Sequence, residues 1–231
     1  LTLGGGEVTL LDITYAYGVF ATGGVMNGQP VPPTKRRPGY RELDPVAILR
    51  IEDREGHVLK EYLHPEGKRI LSPQLAYLIN DILSDNQARI AAFGHNNKLQ
   101  ISRPAACKTG STENWRDSWT IGYTPQLVVG VWVGNSNNEP MARVPGSLGA
   151  APIWNEVMEK GLEGKPVELF EEPPGLHKVE VCAVSGLLPT AHCPNRVWED
   201  FIEGTEPTAY CNIHQSFRIN RETGKLATVY T

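Results

Sequence analysis

Pro104-Ala105-Ala106-Cys107-Lys108-Thr109-Gly110-Ser111-Thr112 opens a run of short β-rich segments that decides how this chain folds. Two more segments follow, Ser118 to Tyr123 and Leu127 to Gly134, joined by Thr124-Pro125-Gln126. So short a link leaves no room for a crossover, and the spacing predicts an antiparallel pair. Leu127-Val128-Val129-Gly130-Val131-Trp132-Val133 is apolar on both faces, as an interior strand is. The opening segment sets a cation, hydroxyls and a glycine on one extended backbone. Such a strand can offer donors to an anionic, peptide-like ligand, and Gly110 lets the ligand backbone come close. A bare Lys-Thr-Gly is more often a charged turn, so the surrounding sequence has to carry the reading.

Helical signals flank this block. Thr9 with Asp12 three residues on has the form of a capping box, and Leu10, Ile13, Tyr17 and Phe20 recur at helical spacing up to Gly23-Gly24. Ser72-Pro73 starts a second helix, with Leu75, Leu78, Ile79, Ile82 and Leu83 as its expected buried face and an end near Asp85-Asn86. Pro152 opens a third, burying Trp154, Val157, Met158, Gly161 and Leu162. Between the first two, Pro30 to Pro38 reads as an exposed loop, and Val46 to Glu52 with His57 to Tyr62 as a hairpin around Arg54-Glu55-Gly56. The order predicts an α/β fold, an antiparallel sheet packed with helices, over residues 1–170. Glu171-Glu172-Pro173-Pro174-Gly175 is a linker, and residues 171–231 form a small β-rich C-terminal module.

The 231 residues are 40% hydrophobic and 21% charged, enough for a globular core. A net charge of -4 with scattered Lys and Arg sets nucleic-acid partners aside. No apolar run approaches the ~20 residues of a membrane span, and Leu1-Thr2-Leu3-Gly4 lacks a basic signal-peptide start. The expectation is a piece of a longer protein, with any targeting signal upstream.

The block beginning at Pro104, then Arg116-Asp117-Ser118-Trp119, Gly122-Tyr123-Thr124-Pro125 and Val129-Gly130-Val131-Trp132-Val133-Gly134-Asn135, closely resembles the transpeptidase domain of class A penicillin-binding proteins. Leu3 to Thr9 and Ala16 to Gly24 also resemble the helix after that family's second motif, so the likeness spans about residues 1 to 163. The resemblance implies part of a penicillin-binding-protein/β-lactamase-like transpeptidase fold. It further implies peptidoglycan stem peptides and β-lactam antibiotics as ligands, an extracytoplasmic location in a membrane-anchored parent, a glycosyltransferase domain upstream, and no cofactor. A β-lactamase fits less well, because the Gly-Tyr-Thr-Pro and Val-Trp-Val-Gly-Asn blocks are of the penicillin-binding-protein kind.

In that family a serine is acylated by the D-Ala-D-Ala end of a stem peptide, and an amine of a second peptide resolves the ester. By resemblance Lys108 is the catalytic cation, Thr109 and Ser111 hold the substrate carboxylate, and Ser111 N–H is an oxyanion donor. Gly110 keeps the strand slim, and Thr112 is a further wall of the cleft. The attacking serine should head a Ser-x-x-Lys, and no serine of this chain does. Ser84-Asp85-Asn86 spells a second-motif pattern but comes too late in order, and reads as a helix end. The chain therefore holds half a site, completed by the rest of the parent; a non-catalytic penicillin-recognising sensor is the alternative.

Cys107 stands where the family usually has glycine, and strand alternation turns it to the packed side if Lys108 faces the cleft. Trp115, Trp119 and Trp132 read as core aromatics, and Asp117 as a turn residue or a partner of Arg116.

Val181-Cys182 to Leu188, Cys193-Pro194 and Cys211-Asn212-Ile213-His214 resemble a short module that follows the transpeptidase domain in some class A proteins. An extracytoplasmic location permits one disulfide among Cys182, Cys193 and Cys211, from which so small a module gains. That bridge is the expectation. Zinc on Cys182, Cys193, Cys211 and His214 has suitable ligand types and a Cys-x-x-His pair but irregular remaining gaps, and no metal ligand is assigned. The other histidines show no partner spacing.

Overall fold

Thr9 starts the first helix as its sequence requires. In the computed structural model, which describes residues 6–142 and 144–227, Thr9 Oγ1 accepts the Asp12 N–H at 3.1 Å at the head of α1 (Leu10–Ala21). This satisfies one of the donors a helix start leaves unpaired. The Asp12 carboxylate pairs with the Arg41 guanidinium. Gly23, at φ +64°, ends the helix. Leu1 to Gly5, part of the resembling stretch, lie outside the described residues.

Five short strands follow: β1 (Val25–Pro30), β2 (Leu43–Asp44), β3 (Arg50–Glu52), β4 (Val58–Glu61) and β5 (Glu66–Arg69). The expected hairpin is β3 with β4, turning through Gly56 at φ +87°. β1 was not anticipated; it pairs antiparallel with β2 and β5, and the proline loop begins only after it.

Ser72 Oγ accepts the Leu75 N–H at 3.2 Å and opens α2 (Pro73–Ser84). Its buried face differs from the expected one: Ala76 and Asn80 are inside, while Leu75, Ile79 and Ile82 are exposed. The apolar arc around α2 is wider than the part this chain covers, and small Ala76 with hydrogen-bonded Asn80 takes the contact. Asn80 Nδ2 donates to the Phe20 carbonyl at 3.0 Å, which ties α2 to α1. The chain then turns into α3 (Asn86–Phe93), capped by Asp85.

The main sheet is β6 (Ala106–Ser111), β7 (Asp117–Thr124) and β8 (Leu127–Gly134), antiparallel in that order. The interior strand is β7, where Ser118 and Thr120 to Thr124 are buried, and not β8, whose residues are mostly half-buried at the other side of the sheet. β8 is apolar on both faces because α1 packs on one and α4 (Ala150–Leu162) on the other. The helix α4 begins at Ala150, ahead of Pro152, and buries Ala150, Ala151, Trp154, Met158 and Leu162, leaving Val157 exposed. Trp154 fixes the core's shape: a Cβ on Gly122 would lie 2.3 Å from its ring, so the strand is glycine where the indole lies on it.

The chain divides into Leu1–Glu172 and Pro173–Thr231. The second unit pairs β9 (Leu176–Cys182) with β10 (Arg196–Ile202) in antiparallel register, Cys182 opposite Arg196. Among the described residues no helix is long and apolar enough to cross a membrane.

Candidate functional site

β6 is an edge strand, so one row of its backbone groups has no partner strand among the described residues. Which row follows from the register. Thr112 N–H donates to the Asp117 carbonyl at 3.2 Å, and opposed residues in an antiparallel pair alternate between bonded and unbonded. Gly110 and Lys108 therefore bond to Trp119 and Ile121, and the N–H and C=O groups of Cys107, Thr109 and Ser111 point to the open edge. The same phase makes Thr124 and Leu127 the bonded pair that a two-residue hairpin needs.

Side chains alternate across the strand. Cys107, Thr109 and Ser111 share the face toward α4 and the segment that leads into it. Ser111 Oγ accepts the Gly146 N–H at 2.9 Å, and a Cβ on Gly146 would come within 3.1 Å of Thr109 Cβ. An accepting Ser111 oxygen leaves its hydrogen free to donate. Lys108 and Gly110 lie on the opposite face, with Gly110 against Trp119. The exposed Lys108 ammonium donates to the outward Thr109 carbonyl at 2.8 Å.

Thr112 holds the turn that follows β6. Its hydroxyl donates to Asp117 Oδ2 at 2.7 Å and accepts the Asp117 N–H at 2.9 Å. Asp117 Oδ1 also accepts from Trp132 Nε1 at 2.7 Å. It is thus the hub of the β6–β7 turn and not a partner of Arg116, whose guanidinium bonds the Asn138 carbonyl. The three tryptophans read as core are not buried: Trp115 and Trp132 are exposed, and Trp119 is half-buried beside Trp132. Trp119 and Trp132 lie side by side, their ring centroids 6.4 Å apart, while Trp154 fills the core.

Sequence reading missed Pro145-Gly146. Gly146 O accepts from Thr120 Oγ1 at 3.2 Å and from the Ala151 N–H at 2.9 Å, fixing the segment beside Thr109 and Ser111. A Pro-Gly pair is a turn signal that could have marked it. Ser84-Asp85-Asn86 is the corner between α2 and α3, where Asp85 Oδ1 accepts the N–H groups of Gln87 and Ala88 at 2.8 and 3.0 Å. Cys107 is buried, donates to the Leu99 carbonyl at 3.5 Å, and has its thiol pushed up to about 11 by burial. It is a packing residue.

The bridge expected in the tail is not formed, because Cys182, Cys193 and Cys211 are all free. Their sulfurs converge with His214 instead, all four ligand atoms lying within 4.8 Å of one another. His214 Nδ1 is 3.4 Å from both Cys182 Sγ and Cys211 Sγ. The Ser185 hydroxyl and the His214 and Ile213 N–H groups lower the Cys211 thiol to about 5. The N–H and hydroxyl of Ser185, with the Val184 N–H, lower Cys182 as well. His214 is raised, chiefly by its bond to Cys211.

Residues 172–216 match the family described as penicillin-binding protein 1A, C-terminal domain. Over 94% of its length the chain is 32% identical to penicillin-binding protein 1A of Clostridium perfringens, of which it spans 24%. It is also 32% identical to penicillin-binding protein 1A of Aquifex aeolicus, over 92% of this chain and 26% of that protein. The crystal structure of penicillin-binding protein 1A from Haemophilus influenzae has the same fold over 88% of this chain and 33% of its own, with a TM-score of 0.68 at 24% identity. The chain spans about a quarter of the length of these curated relatives.

Proposed function

That this chain belongs to the class A penicillin-binding proteins, as the C-terminal part of their transpeptidase domain, is the premise from which we propose its role in peptidoglycan cross-linking. The chain supplies the carboxylate-binding edge of a serine D,D-transpeptidase and leaves the nucleophile to the rest of the parent. The observation that carries this is the open edge of β6, where Thr109 and Ser111 turn their backbone groups outward beside the Lys108 cation.

An extended stem peptide, or a β-lactam that mimics one, adds to such an edge by backbone hydrogen bonds. Its terminal carboxylate is held by the Lys108 charge and by the hydroxyls of Thr109 and Ser111. The parent's serine attacks the penultimate carbonyl, the oxyanion takes the Ser111 N–H, and the terminal D-Ala leaves as an amine with a proton. The amine of a second stem peptide then displaces the serine, which regains its hydrogen. An extracytoplasmic parent goes with this proposal, since its substrate would be the cell-wall peptidoglycan.

Exposed Leu75, Ile79 and Ile82 on α2, and the outer side of β8, which has no partner strand among the described residues, support a further part of the parent chain packing here. A fluorescent penicillin tests the reading. The full parent is expected to be labelled and this chain alone not; labelling of the chain alone would overturn it. A parent that binds penicillin reversibly without acylation would favour the sensor alternative.

A further inference from the structure

Among its described residues the second unit has little apolar interior beyond Val181. Its cluster of buried residues is Cys182, Cys193 and Cys211, while Val184, Trp198, Tyr210, Ile213, Phe217, Ile219 and Leu226 are exposed. Units below about 70–80 residues with a poor core need a covalent or metal staple, and the three cysteines are unbridged. Burial of three thiols at 0%, 7% and 6% exposure with nothing to cross-link them calls for a ligand.

The geometry identifies one. Zinc bonds of about 2.3 Å to sulfur and about 2.0–2.1 Å to nitrogen set tetrahedral edges of roughly 3.8 Å for S···S and roughly 3.5 Å for S···N. Both S···N edges at His214 measure 3.4 Å, and the widest of all ligand separations is 4.8 Å. Only His214 Nδ1 faces the sulfurs, so the donor atom is defined.

The backbone is shaped around the sulfurs as well. Val184 and Ser185, two and three residues after Cys182, turn N–H groups to its sulfur. Ile213 and His214 stand in the same relation to Cys211. Thr190 N–H donates to Cys193 Sγ at 3.3 Å. Amide groups directed at sulfur favour thiolate, the form that binds metal. Two loop bonds then hold the ligand-bearing segments together: Cys211 N–H to the Leu188 carbonyl at 2.8 Å, and Leu188 N–H to the Ala209 carbonyl at 3.0 Å.

We propose that Cys182, Cys193, Cys211 and His214 form a structural Zn²⁺ site that holds the C-terminal unit together. Three thiolates and one imidazole close the tetrahedron, so no position is left for substrate or water and the ion is structural, not catalytic. Binding is not a redox event: the protons still held by the three sulfurs and by the imidazole pass to solvent, and three thiolates and the His214 Nδ1 lone pair are donated with no electron transferred. Sulfur-rich tetrahedral sets select zinc over magnesium or calcium.

The test uses the whole chain, purified with a thiol reductant and no chelator. Elemental analysis is expected to find one zinc per chain. Cys107→Ala keeps it, while His214→Asn and Cys211→Ser lose it. Because those two variants can also unfold, wild-type chain stripped and refilled with cobalt gives an independent readout: intense visible bands of tetrahedral cobalt with thiolate charge transfer in the near ultraviolet. Zinc below about a tenth of an equivalent after incubation with zinc salt would overturn the proposal. So would weak, six-coordinate cobalt bands, or a native mass lower by the two hydrogens of a disulfide.

Discussion

Tyr123 Oη donates to Asn80 Oδ1 at 2.7 Å inside the protein, joining the interior strand to α2. Asn80 passes the connection on to the Phe20 carbonyl in α1. Burial raises the Tyr123 hydroxyl pKa, so the group remains a donor. Tyr123→Phe leaves a buried amide oxygen without a partner, and a loss of about 1–3 kcal/mol is expected. Asn80→Ala strands the tyrosine hydroxyl and also cuts the tie to α1, although the Phe20 carbonyl keeps the Gly23 N–H at 3.1 Å, and should cost at least as much. Urea unfolding measures both, and a Tyr123→Phe curve superimposed on wild type would refute the link.

Gly122 is a second sensitive point. A methyl group there meets the Trp154 ring at 2.3 Å and Cys107 Cβ at 2.7 Å. Gly122→Ala is expected to destabilise by about 1–3 kcal/mol through overpacking. Combining it with Trp154→Leu should cost less than the sum of the two changes, a coupling that a double-mutant cycle reads directly.

Ser111→Ala bears on the proposed chemistry and belongs in the full parent. Losing a hydroxyl bonded to a carboxylate costs about 1.5–3 kcal/mol, which is on the order of ten- to a hundredfold in penicillin acylation rate. Gly146 also loses its acceptor, so Ser111→Thr, which restores an oxygen there, serves as the control and should recover most of the rate.

Asp12 gives a pH signature. Thr9 first, and then Arg41, hold its carboxyl below the ordinary 3.8. A lowered folded-state value contributes stability above the unfolded value that is lost as pH falls through the folded one. Asp12→Asn should therefore be less stable than wild type at neutral pH, and the two should converge below that range. Thermal melts across pH check it; a gap that persists undiminished into strong acid would show the effect is not ionic.

Local signals were readable where they act on the backbone. Thr9 and Ser72 cap the helices their sequences announce, and Gly56 turns the hairpin it marks. What the sequence hid was competition between segments far apart in the chain. Apolarity alone made β8 look interior, yet the buried strand is β7, whose polar Ser118 and Thr120 satisfy their hydroxyls on Pro145 and Gly146. The Lys108 strand could be found from order and composition, but the outward phase of Thr109 and Ser111 depends on pairing with β7. In the tail the four residues that converge could be named from their types, with His214 beside Cys211, but a bridge was expected ahead of them because spacing along a chain says little about convergence.

β8 carries one more consequence. Its far side has no neighbouring strand among the described residues, and the strand is eight residues of mostly apolar sequence. A long apolar edge of this kind is a template for another chain. Alone in solution, this chain is prone to self-association along that edge; because Val131 packs against the core beneath α4, a charge that keeps the chain dispersed belongs at the exposed Trp132 and not at the inward valines.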